Sequence, residues 1–402
     1  MIKILYLRTL YWFNLKAGGS VGHTAGVINA MDRKVDLTVI SNDFLTGVKK
    51  DISIVHPVKI PFIPNDILEL LYNLKVIKNC KNINTNVIYQ RYNGFSFCGA
   101  YLAKQKNIPF ILEFNSSDVW KINNWKNNSG FLKHTIKLVY YKIFKLPIVS
   151  FIEKYNINSA NYVVVVSDTL KKFLLNLGVN ENKIIVNPNG IDKNKYSPEI
   201  KCDDIKSKYK LENGIIIGFI GTFGQWHGAE NIVLAFAKLL KSYPSYEGRV
   251  KLFMIGDGIR MPIIKKYILE FGLQESVILT GLVPQDEGAK FLNVCDILVN
   301  ATVPNPDGSE FFGSPTKLFE YMAMNKAIIC SDMAQMGKIL KHNETAYMVK
   351  PGDIDELLVA MKILVDDSST RSYLGHNARK EVLEKYTWDK HVDRILRAIN
   401  NE

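Results

Sequence analysis

Long apolar runs and paired cysteines are both missing from this chain of 402 residues. No run approaches the roughly 18 apolar residues that a membrane-spanning helix needs. The longest, such as YVVVV at 162–166, have the length of a buried strand. The five cysteines are scattered and include no Cys-x-x-Cys pair. This pattern argues against a disulfide framework and a structural zinc site, and it favours reduced thiols in the cytoplasm.

The stretch MIKILYLRTLYW at the start also lacks the features of a secretory signal peptide. Arg8 interrupts its apolar residues, and no small-residue cleavage site follows. Together with the reduced cysteines, this stretch leads us to expect a cytoplasmic location. Disorder is not expected beyond the last few residues, because the apolar content of 47% is normal for a folded protein.

Positive charge is in excess in only one half of the chain. Residues 1–200 hold 26 Lys and Arg against 13 Asp and Glu, a net +13, whereas the remaining residues hold 25 against 26, a net −1. Residues 131–154 interleave lysines with Phe, Leu, Ile and Tyr at helical spacing. Such a helix can lie on an anionic membrane surface, or it can present an ordinary solvated lysine face. The first interpretation predicts peripheral binding to the inner face of the cell membrane.

Short β-branched or aromatic runs alternate with helical stretches along the chain. The predicted strands are KILYL, DLTVIS, NVIYQR, PFILEF and NYVVVVS in the first half, and GIIIGFIG, RVKLFMIGDG, SVILTGLV, DILVNAT and KAIICSD in the second. This alternation favours parallel sheets covered on both faces. The turn-rich stretch NPNGIDKNKYSP at 187–198 separates the two series. We therefore predict two α/β domains, 1–198 and 199–385, with ligands at the carboxyl ends of their strands.

A glycine-rich loop, KAGGSVGHTAG, follows the first predicted strand. Gly18 and Gly19 would let backbone N–H groups approach a ligand, and the next helix would point its N-terminus at the ligand's phosphates. The stretch does not match Gly-x-Gly-x-x-Gly, and no clear acidic residue ends the next strand. Dinucleotide binding is therefore poorly supported.

A second loop contains Gly218-x-x-Gly221-x-x-Gly224, a spacing also found in short-chain dehydrogenases and sugar-nucleotide epimerases. Those enzymes need a Tyr-x-x-x-Lys pair, and such pairs start at Tyr141 and Tyr386. Because Tyr and Lys are abundant here, matches of this kind are expected by chance. The mid-chain position of the loop also fits an epimerase badly.

Residues 310–322, EFFGSPTKLFEYM, read as the start of a helix. Ser314 is a favoured N-cap and Pro315 a favoured first helical residue, with apolar residues following at helical spacing. The free N–H groups and positive dipole end of such a helix suit a phosphate. Lys317, in the first turn, and Glu320, one turn later, are therefore candidate ligand-binding residues.

Several stretches, in order, resemble glycosyltransferase family 4. GTFGQWHGAENIVLAF is similar to the opening of the family's donor domain, in the subgroup whose loop ends Trp-His-Gly. The stretches VVVVSDTLKKFLLNLGVNENKIIVNPNGID, MIGDG, LTGLVPQDE, GSPTKLFEYMAMNKAIICSD and NETAYMVKPGDIDELLVAM match later motifs. IYQRYNGFSFCGAYLAKQKNIPFILEFNSSD is similar to the acceptor-side signature. The resemblance covers nearly the whole chain, from Gly18 to the C-terminal YTW segment.

The resemblance implies the GT-B fold, in which two doubly wound Rossmann-like domains face each other across a cleft. The first domain would bind the acceptor and the second a nucleotide diphosphate sugar, a UDP- or GDP-sugar. The C-terminal helix, 386–402, would pack back on the first domain. Members of the family retain the anomeric configuration and need no metal or other cofactor. Side chains and backbone dipoles must then stabilise the leaving diphosphate.

By register with the family, Glu320 would bind the ribose hydroxyls of the donor, and Lys317 would face its diphosphate. His227 stands where many relatives carry a phosphate-binding lysine, and Thr222 where they often carry arginine. Lys317 is expected to compensate for these two missing cations. The full set of expected donor-binding residues is Gly18, Gly19, Gly221, Thr222, His227, Ser314, Pro315, Thr316, Lys317 and Glu320.

The family's first glutamate, which contacts the donor sugar, is missing from its expected place. Phe312 occupies that position, and the nearest acidic residue is Glu310. Either Glu310 bends into the cleft or backbone groups near Gly313 take over its role. We take Glu310, together with Lys317, as a candidate catalytic residue.

On the acceptor side, Glu113 and Asn115 come just after a predicted strand, where ligand-binding residues lie in such sheets. Glu113 is the candidate base for the attacking hydroxyl, although a phosphate oxygen of the donor can take this role in retaining enzymes. Arg91 and Tyr92 end the preceding strand and could bind an acceptor phosphate. Alternatively, Arg91 forms a buried ion pair with Glu113.

The sequence thus predicts a retaining, metal-independent hexosyltransferase. Its acceptor is expected to be a glycan or lipid-linked glycan, as in capsule, lipopolysaccharide or other surface polysaccharide assembly, and no nucleic acid partner is expected. One alternative is a sugar-nucleotide epimerase or dehydrogenase. Another is a non-catalytic nucleotide-sugar binder, because Phe312 replaces a functional glutamate.

Overall fold

The computed structural model describes residues 1–10, 18–57, 60–124, 140–305, 308 and 310–400. The chain divides into two compact units. Unit 1 comprises Met1–Leu15, Val27–Pro188 and Val392–Glu402, and unit 2 comprises Lys16–Gly26 and Asn189–His391. The division lies before the predicted boundary at 198, because Ile191 and Tyr196 are buried in a hydrophobic core of unit 2.

Unit 1 is built on a parallel sheet of seven strands in the order β3-β2-β1-β4-β5-β6-β7. The strands are β1 Lys3–Arg8, β2 Asp36–Ser41, β3 Ser53–Ile54, β4 Val87–Arg91, β5 Phe110–Phe114, β6 Tyr162–Val165 and β7 Ile184–Val186. The chain builds the sheet outward from β1 in one direction and then, from β4, in the other. The order therefore reverses between β1 and β4, the place where open α/β sheets bind their ligands.

The helices that begin in this part of the chain are α1 Gly19–Asp32, α2 Asn65–Cys80, α3 Cys98–Lys106, α4 Asp118–Asn124, α5 Leu146–Ser159 and α6 Asp168–Asn176. Ser167 is the N-cap of α6, and its side chain accepts a hydrogen bond from the N–H of Leu170. A π-helical turn, Tyr141–Lys145, leads into α5. The basic helix was predicted at 131–154. Residues 131–139 of this stretch lie outside the described residues.

Unit 2 contains a second parallel sheet, with the order β10-β9-β8-β11-β12-β13. Its strands are β8 Ile215–Ile220, β9 Val250–Ile255, β10 Val277–Leu279, β11 Ile297–Asn300, β12 Ala327–Ser331 and β13 Tyr347–Val349. The helices are α7 Asp203–Tyr209, α8 Ala229–Ser242, α9 Met261–Glu270, α10 Gly288–Asn293, α11 Thr316–Ala323, α12 Ala334–Ile339, α13 Ile354–Asp366 and α14 Ser368–Lys385. The last helix, α15, spans Trp388–Asn400, and its residues from Val392 onward belong to unit 1. In this sheet the order reverses between β8 and β11.

The second sheet is covered on both faces, as the strand–helix alternation predicts. Along β9, Phe253 and Ile255 belong to one hydrophobic core, whereas Leu252 and Met254 belong to another. Because successive side chains of a strand point to opposite faces, the two cores lie on opposite sides of the sheet. The continuous apolar runs of the sequence are the result of this double burial.

Among the described residues, no helix is both long enough and apolar enough to cross a membrane.

Candidate functional site

Most of the predicted donor-binding residues of unit 2 lie where its strand order reverses. Gly221 and Thr222 directly follow β8, and the segment after β11 leads to helix α11. The two loops are linked, because the N–H of Val303 donates to the carbonyl of Trp226 over 3.0 Å. Gly228, the last residue of the Trp-His-Gly stretch, has a φ of +61°, and a Cβ there would lie 1.9 Å from the carbonyl oxygen of Ala301. Only glycine therefore allows this close approach.

Gly218, the first glycine of the Gly218-x-x-Gly221-x-x-Gly224 spacing, has a packing role. It lies inside β8, and a Cβ at this position would stand 2.2 Å from the sulfur of Cys295. Close packing within unit 2 therefore explains why glycine occupies the first position of the spacing that the epimerases share.

His227 is a neutral group in this site. Its Nδ1 accepts a hydrogen bond from the N–H of Gly224 over 3.1 Å, so the ring proton is on Nε2. The pKa of His227 is lowered to about 2, mainly by burial and further by the charge of Lys317. The imidazole can therefore offer Nε2–H to a ligand, but it does not supply the positive charge that a lysine would.

Lys317 carries a buried ammonium group. The residue is 8% exposed, and its Nζ lies 4.3 Å from the ring centre of Phe219. Within the part of the chain that the structure describes, Nζ has no hydrogen-bond partner. Burial lowers the pKa of Lys317 to about 7, although Cys330 and Glu320 act in the opposite direction. Since a buried cation is costly without a partner, the site favours a bound anion.

The predicted start of helix α11 is wrong by one residue. The helix begins at Thr316, Pro315 is the residue before it, and no side chain caps its N-terminus. The hydroxyl of Ser314 instead accepts the backbone N–H of Asn189 over 3.1 Å. Ser314 is therefore held by the Pro-Asn-Gly turn that precedes it by more than a hundred residues, and it is not available as a cap.

Asn189 connects the starts of two helices. Its side-chain amide donates to the carbonyl of Ser314, before α11. Its side-chain oxygen accepts the Nδ1–H of His23, on α1, over 2.6 Å. Asn189 was not predicted as a site residue, although it lies in the NPNG stretch, because a turn-forming asparagine shows no sign of its distant partners.

Glu320 and the glycine loop are joined by residues that were not predicted to belong to the site. Glu320 accepts a hydrogen bond from Tyr196, and burial raises its pKa above the usual range. The ammonium of Lys195 donates to the backbone carbonyl of Gln285 over 2.9 Å. The side-chain oxygen of Gln285 accepts the N–H of Gly18 over 2.8 Å.

The glycine loop lies beside helix α11. Gly18 has a φ of +110°, a conformation that side chains other than glycine rarely adopt. A Cβ on Gly18 would lie 4.0 Å from Thr222, and one on Gly19 would lie 3.0 Å from the hydroxyl of Thr316. The structure thus brings together in unit 2 the predicted residues Gly18, Gly19, Gly221, Thr222, His227, Ser314, Pro315, Thr316, Lys317 and Glu320. That each contacts the donor stays a prediction.

Glu310 lies in the segment between β11 and helix α11. The residue is exposed, and its backbone carbonyl accepts a weak hydrogen bond from Asn305 over 3.5 Å. Its role in place of the glutamate that Phe312 replaces stays a prediction.

In unit 1, Glu113 and Arg91 form the buried ion pair that was the alternative to acceptor binding. Arg91 Nη1 lies 3.1 Å from Glu113 Oε1. Glu113 also accepts hydrogen bonds from the Tyr89 hydroxyl over 2.8 Å and from the Asn115 amide over 2.6 Å. Since three donors hold this carboxylate, a role as proton acceptor would require one of them to be released. That role stays a prediction.

Tyr92 belongs to a different polar cluster. Its hydroxyl donates to Glu153 over 2.6 Å, and Glu153 also accepts from Ser117 and from the N–H of Asp118. Burial raises the pKa of Glu153. Arg91 and Tyr92 are therefore sequence neighbours with separate partners, and the predicted acceptor contact of Tyr92 is untested.

No group of three or more His, Cys, Asp and Glu side chains that could hold a metal ion occurs among the described residues.

Comparison with known proteins adds two family matches. Residues 17–195 match the family described as Glycosyltransferase Family 4, and residues 202–381 match Glycosyl transferases group 1. An uncharacterized glycosyltransferase of Methanocaldococcus jannaschii, MJ1069, is 25% identical over 340 residues, which cover 82% of this chain and 79% of the relative. The capsular polysaccharide biosynthesis glycosyltransferase CapM of Staphylococcus aureus is 25% identical over 261 residues, 63% of this chain and 64% of the relative.

Solved structures share the fold over the whole chain. Anabaena HepE in complex with UDP-glucose superposes with a TM-score of 0.74 at 15% identity, covering 100% of both chains. Sucrose-phosphate synthase of Thermosynechococcus elongatus gives 0.71 at 16% identity, covering 100% of this chain and 99% of that one. The expected GT-B fold is confirmed, and the two family matches together span most of the sequence. The chain therefore belongs to the GT-B glycosyltransferases that join a family 4 domain to a group 1 domain.

Proposed function

We propose that this glycosyltransferase transfers a sugar from a nucleotide diphosphate donor, a UDP- or GDP-sugar, to an acceptor hydroxyl with retention of the anomeric configuration. The observation that carries the proposal is the buried ammonium of Lys317, beside the neutral imidazole of His227 and the first turn of α11. This arrangement suits a diphosphate, because a buried cation and free helix N–H groups both stabilise negative charge.

In this proposal the chain itself stabilises the leaving diphosphate, without a metal ion. Lys317 supplies the charge, His227 Nε2–H supplies a neutral hydrogen bond, and the N–H groups at the start of α11 supply the helix dipole. Glu320 would exchange its hydrogen bond with Tyr196 for the ribose hydroxyls. HepE, which shares the fold, was solved with UDP and glucose, and this supports the choice of a nucleotide sugar.

We also propose a lipid-linked or cell-surface glycan as the acceptor, with the protein bound peripherally to the membrane. Unit 1 exposes an apolar face on α2, formed by Ile67, Leu71 and Leu74. Helix α2 contacts the end of the π-helical turn, where Lys145 Nζ lies 3.2 Å from Asp66 Oδ1. CapM acts in capsular polysaccharide biosynthesis, and another relative is named alpha-monoglucosyldiacylglycerol synthase. Binding of the protein to anionic vesicles tests this location.

The donor proposal is tested by calorimetric titration of the full chain with UDP, GDP and ADP. We expect one of UDP and GDP to bind, and Lys317→Met to weaken that binding by about 10- to 100-fold, the loss of about 1.5–3 kcal/mol expected for a hydrogen bond to a charged group. Lys341→Met is the matched control, because Lys341 is an exposed lysine of the same unit. Failure of all three nucleotides to bind, or equal binding by Lys317→Met, would overturn the proposal.

The chemistry is tested by incubating the enzyme with UDP- and GDP-sugars and a membrane glycolipid extract. We expect release of the nucleoside diphosphate, unchanged by EDTA and independent of nicotinamide nucleotides. The anomeric proton coupling of the product should match that of the donor. A rate that falls to background with EDTA contradicts metal independence, and donor binding without turnover in any extract favours a nucleotide-sugar binder.

A further inference from the structure

A buried carboxyl group lies beside the ends of two neighbouring strands in unit 1. Glu69, on helix α2, is 4% exposed. Its Oε1 accepts a hydrogen bond from the side-chain amide of Asn93 over 2.8 Å, and the same amide donates to the carbonyl of Thr9 over 3.2 Å. Thr9 directly follows β1, and Asn93 lies just beyond the end of β4. Glu69 is therefore held at the carboxyl ends of β1 and β4.

This carboxyl group lies at the place in the sheet where a ligand is expected. Open α/β sheets bind their ligands outside the carboxyl ends of the strands, at the point where the strand order reverses. In unit 1 this point lies between β1 and β4. The side-chain oxygen of Asn93 accepts the N–H of Phe95 over 3.3 Å, so the orientation of the amide is fixed. Glu69 is thus positioned at the point of reversal by a side chain that is itself held.

Only one of the two carboxylate oxygens of Glu69 is bound. Within the part of the chain that the structure describes, Oε1 has Asn93 as its partner and Oε2 has no hydrogen-bond partner. Glu113 and Glu153, which are also buried, differ because donors hold both of their oxygens. Since buried polar atoms normally have a partner, Oε2 of Glu69 can accept a hydrogen bond from a ligand hydroxyl group.

The surroundings of Glu69 allow its carboxyl group to exchange a proton near neutral pH. Its pKa is raised to about 7, mainly by burial and further by the charges of Asp66 on α2 and Asp118 on α4. The hydrogen bond from Asn93 and the charge of Lys145 act in the opposite direction. A general base works best when its pKa lies near the pH at which the enzyme operates, and Glu69 meets this condition.

We propose that Glu69 is the catalytic base that accepts the proton of the attacking acceptor hydroxyl. The free oxygen Oε2 accepts the hydrogen bond of this hydroxyl group. As the hydroxyl oxygen forms its bond to the anomeric carbon, its proton moves to Oε2, and the bond between that carbon and the leaving diphosphate breaks. Glu69 thereby takes the role that was predicted for Glu113. The inference rests on the proposed function, since that function supplies the acceptor and the leaving group.

Turnover of Glu69→Gln tests this role. The variant keeps an oxygen for Asn93 but cannot take up the proton. With a UDP- or GDP-sugar and saturating membrane glycolipid extract, its rate should fall by about 10²- to 10⁴-fold, the contribution typical of a general base. Its affinity for UDP or GDP should equal that of the wild type. Asp36→Asn is the matched control and should keep the wild-type rate, because Asp36 is an exposed carboxyl group on β2 of the same sheet.

The pH profile separates proton transfer from a structural role. In the wild type, kcat/KM for the acceptor should fall about tenfold per pH unit below pH 7, as Glu69 becomes protonated. Glu69→Asp, which keeps a carboxylate, should retain this fall at a reduced rate, whereas Glu69→Gln should lose it. A rate of Glu69→Gln equal to that of the wild type overturns the proposal, and so does an unchanged fall below pH 7 in this variant.

Thermal unfolding tests the titration of Glu69 without any substrate. Because the pKa is raised from 4.5 to about 7, the folded chain binds more protons than the unfolded chain between these pH values. This group therefore makes stability fall as the pH rises through that window. The Tm of Glu69→Gln should fall less between pH 4.5 and pH 7 than that of the wild type. Equal falls in both proteins would contradict the titration on which the base depends.

Nucleotide binding separates a failure of this proposal from a failure of the proposed function. If the wild type binds UDP or GDP and turns over, and Glu69→Gln turns over at the same rate, Glu69 is not the base and the proposed function stands. If Glu69→Gln loses turnover together with nucleotide affinity, a role confined to the acceptor is wrong. If the wild type binds neither nucleotide and releases no diphosphate, the proposed function fails and this assignment fails with it.

Discussion

Burial changes the pKa values of Lys317 and His227, and with them the charges that these side chains carry. Both pKa values are lowered, to about 7 and about 2, because the charged forms lose their hydration. For Lys317 the unfolded chain binds more protons than the folded chain between pH 7 and pH 10.5, so this group makes stability rise with pH across that window. A bound diphosphate would reverse the shift, because it stabilises the protonated form.

Donor binding should therefore take up a proton in mildly alkaline solution. At pH 8.5 the free site holds Lys317 largely neutral, and the nucleotide phosphates draw a proton onto it as they bind. Calorimetry in two buffers with different ionisation enthalpies should give up to about one proton taken up per UDP or GDP. Lys317→Met should take up none, and Lys341→Met should behave as the wild type. Equal heats in both buffers for the wild type would contradict this assignment of Lys317.

At the residue scale, the structure brings together side chains that were selected from the sequence, but their contacts were not predictable. Lys317 was selected from its place in a helix start. Nothing in EFFGSPTKLFEYM shows that its ammonium packs on Phe219, which lies in strand β8. Ser314 looked like a cap from its neighbours alone, whereas its hydroxyl is bound by Asn189. Glu69 was not selected, because the fold that places it beside Asn93 and the end of β1 cannot be seen locally.

At the element scale, Asn189 links helices α1 and α11. The hydrogen bonds to His23 and Ser314 set the positions of both helix starts with a single side chain. Since both starts carry predicted donor-binding residues, this asparagine is expected to keep them in register with each other. Groups that bind a ligand lose less conformational entropy when the protein already holds them in the bound arrangement, and the ligand then binds more tightly.

Asn189→Ala should therefore weaken donor nucleotide binding by roughly tenfold and also destabilise the chain by about 1–3 kcal/mol, because the Ser314 carbonyl and His23 lose a buried partner. Asn194→Ala is the control, since Asn194 is exposed in the turn that follows. Thermal unfolding and UDP or GDP titration measure the two effects separately. Loss of stability with unchanged nucleotide affinity would limit Asn189 to a structural role.

Elements themselves were predictable where the hydrophobic pattern was long. KILYL, DLTVIS and PFILEF form strands close to their predicted limits, because fully buried parallel strands are continuous apolar runs. Two short strands, Ser53–Ile54 and Ile184–Val186, were not predicted, because two or three residues are too few to show a hydrophobic pattern. The order of strands, which creates both candidate sites, depends on pairings distant in the chain, and no local pattern gives it.

At the scale of the whole molecule, the part of the chain that holds the excess positive charge also exposes apolar side chains on its helices. The net charge of +12 comes from residues 1–200. This part also carries exposed side chains on α2 and on the helical segment that ends in α5, with Leu74 58% and Phe151 71% exposed. Helices normally turn polar residues outward, so an apolar outward face together with lysines is typical of a surface that binds anionic lipid.

Unit 1 should therefore bind vesicles that contain phosphatidylglycerol more tightly than neutral phosphatidylcholine vesicles, and less tightly at 1 M salt, where charges are screened within about 3 Å. The double variant Leu71→Ser, Leu74→Ser should weaken binding by about 10- to 100-fold, because two half-exposed leucines no longer enter the lipid. Leu269→Ser is the matched control, since Leu269 is 66% exposed on a helix of unit 2. Sedimentation of the full chain with each vesicle measures the effect. If the control weakens binding as much as the double variant, the apolar face of α2 is not the lipid-binding surface, whereas loss confined to the double variant places the membrane contact on this face.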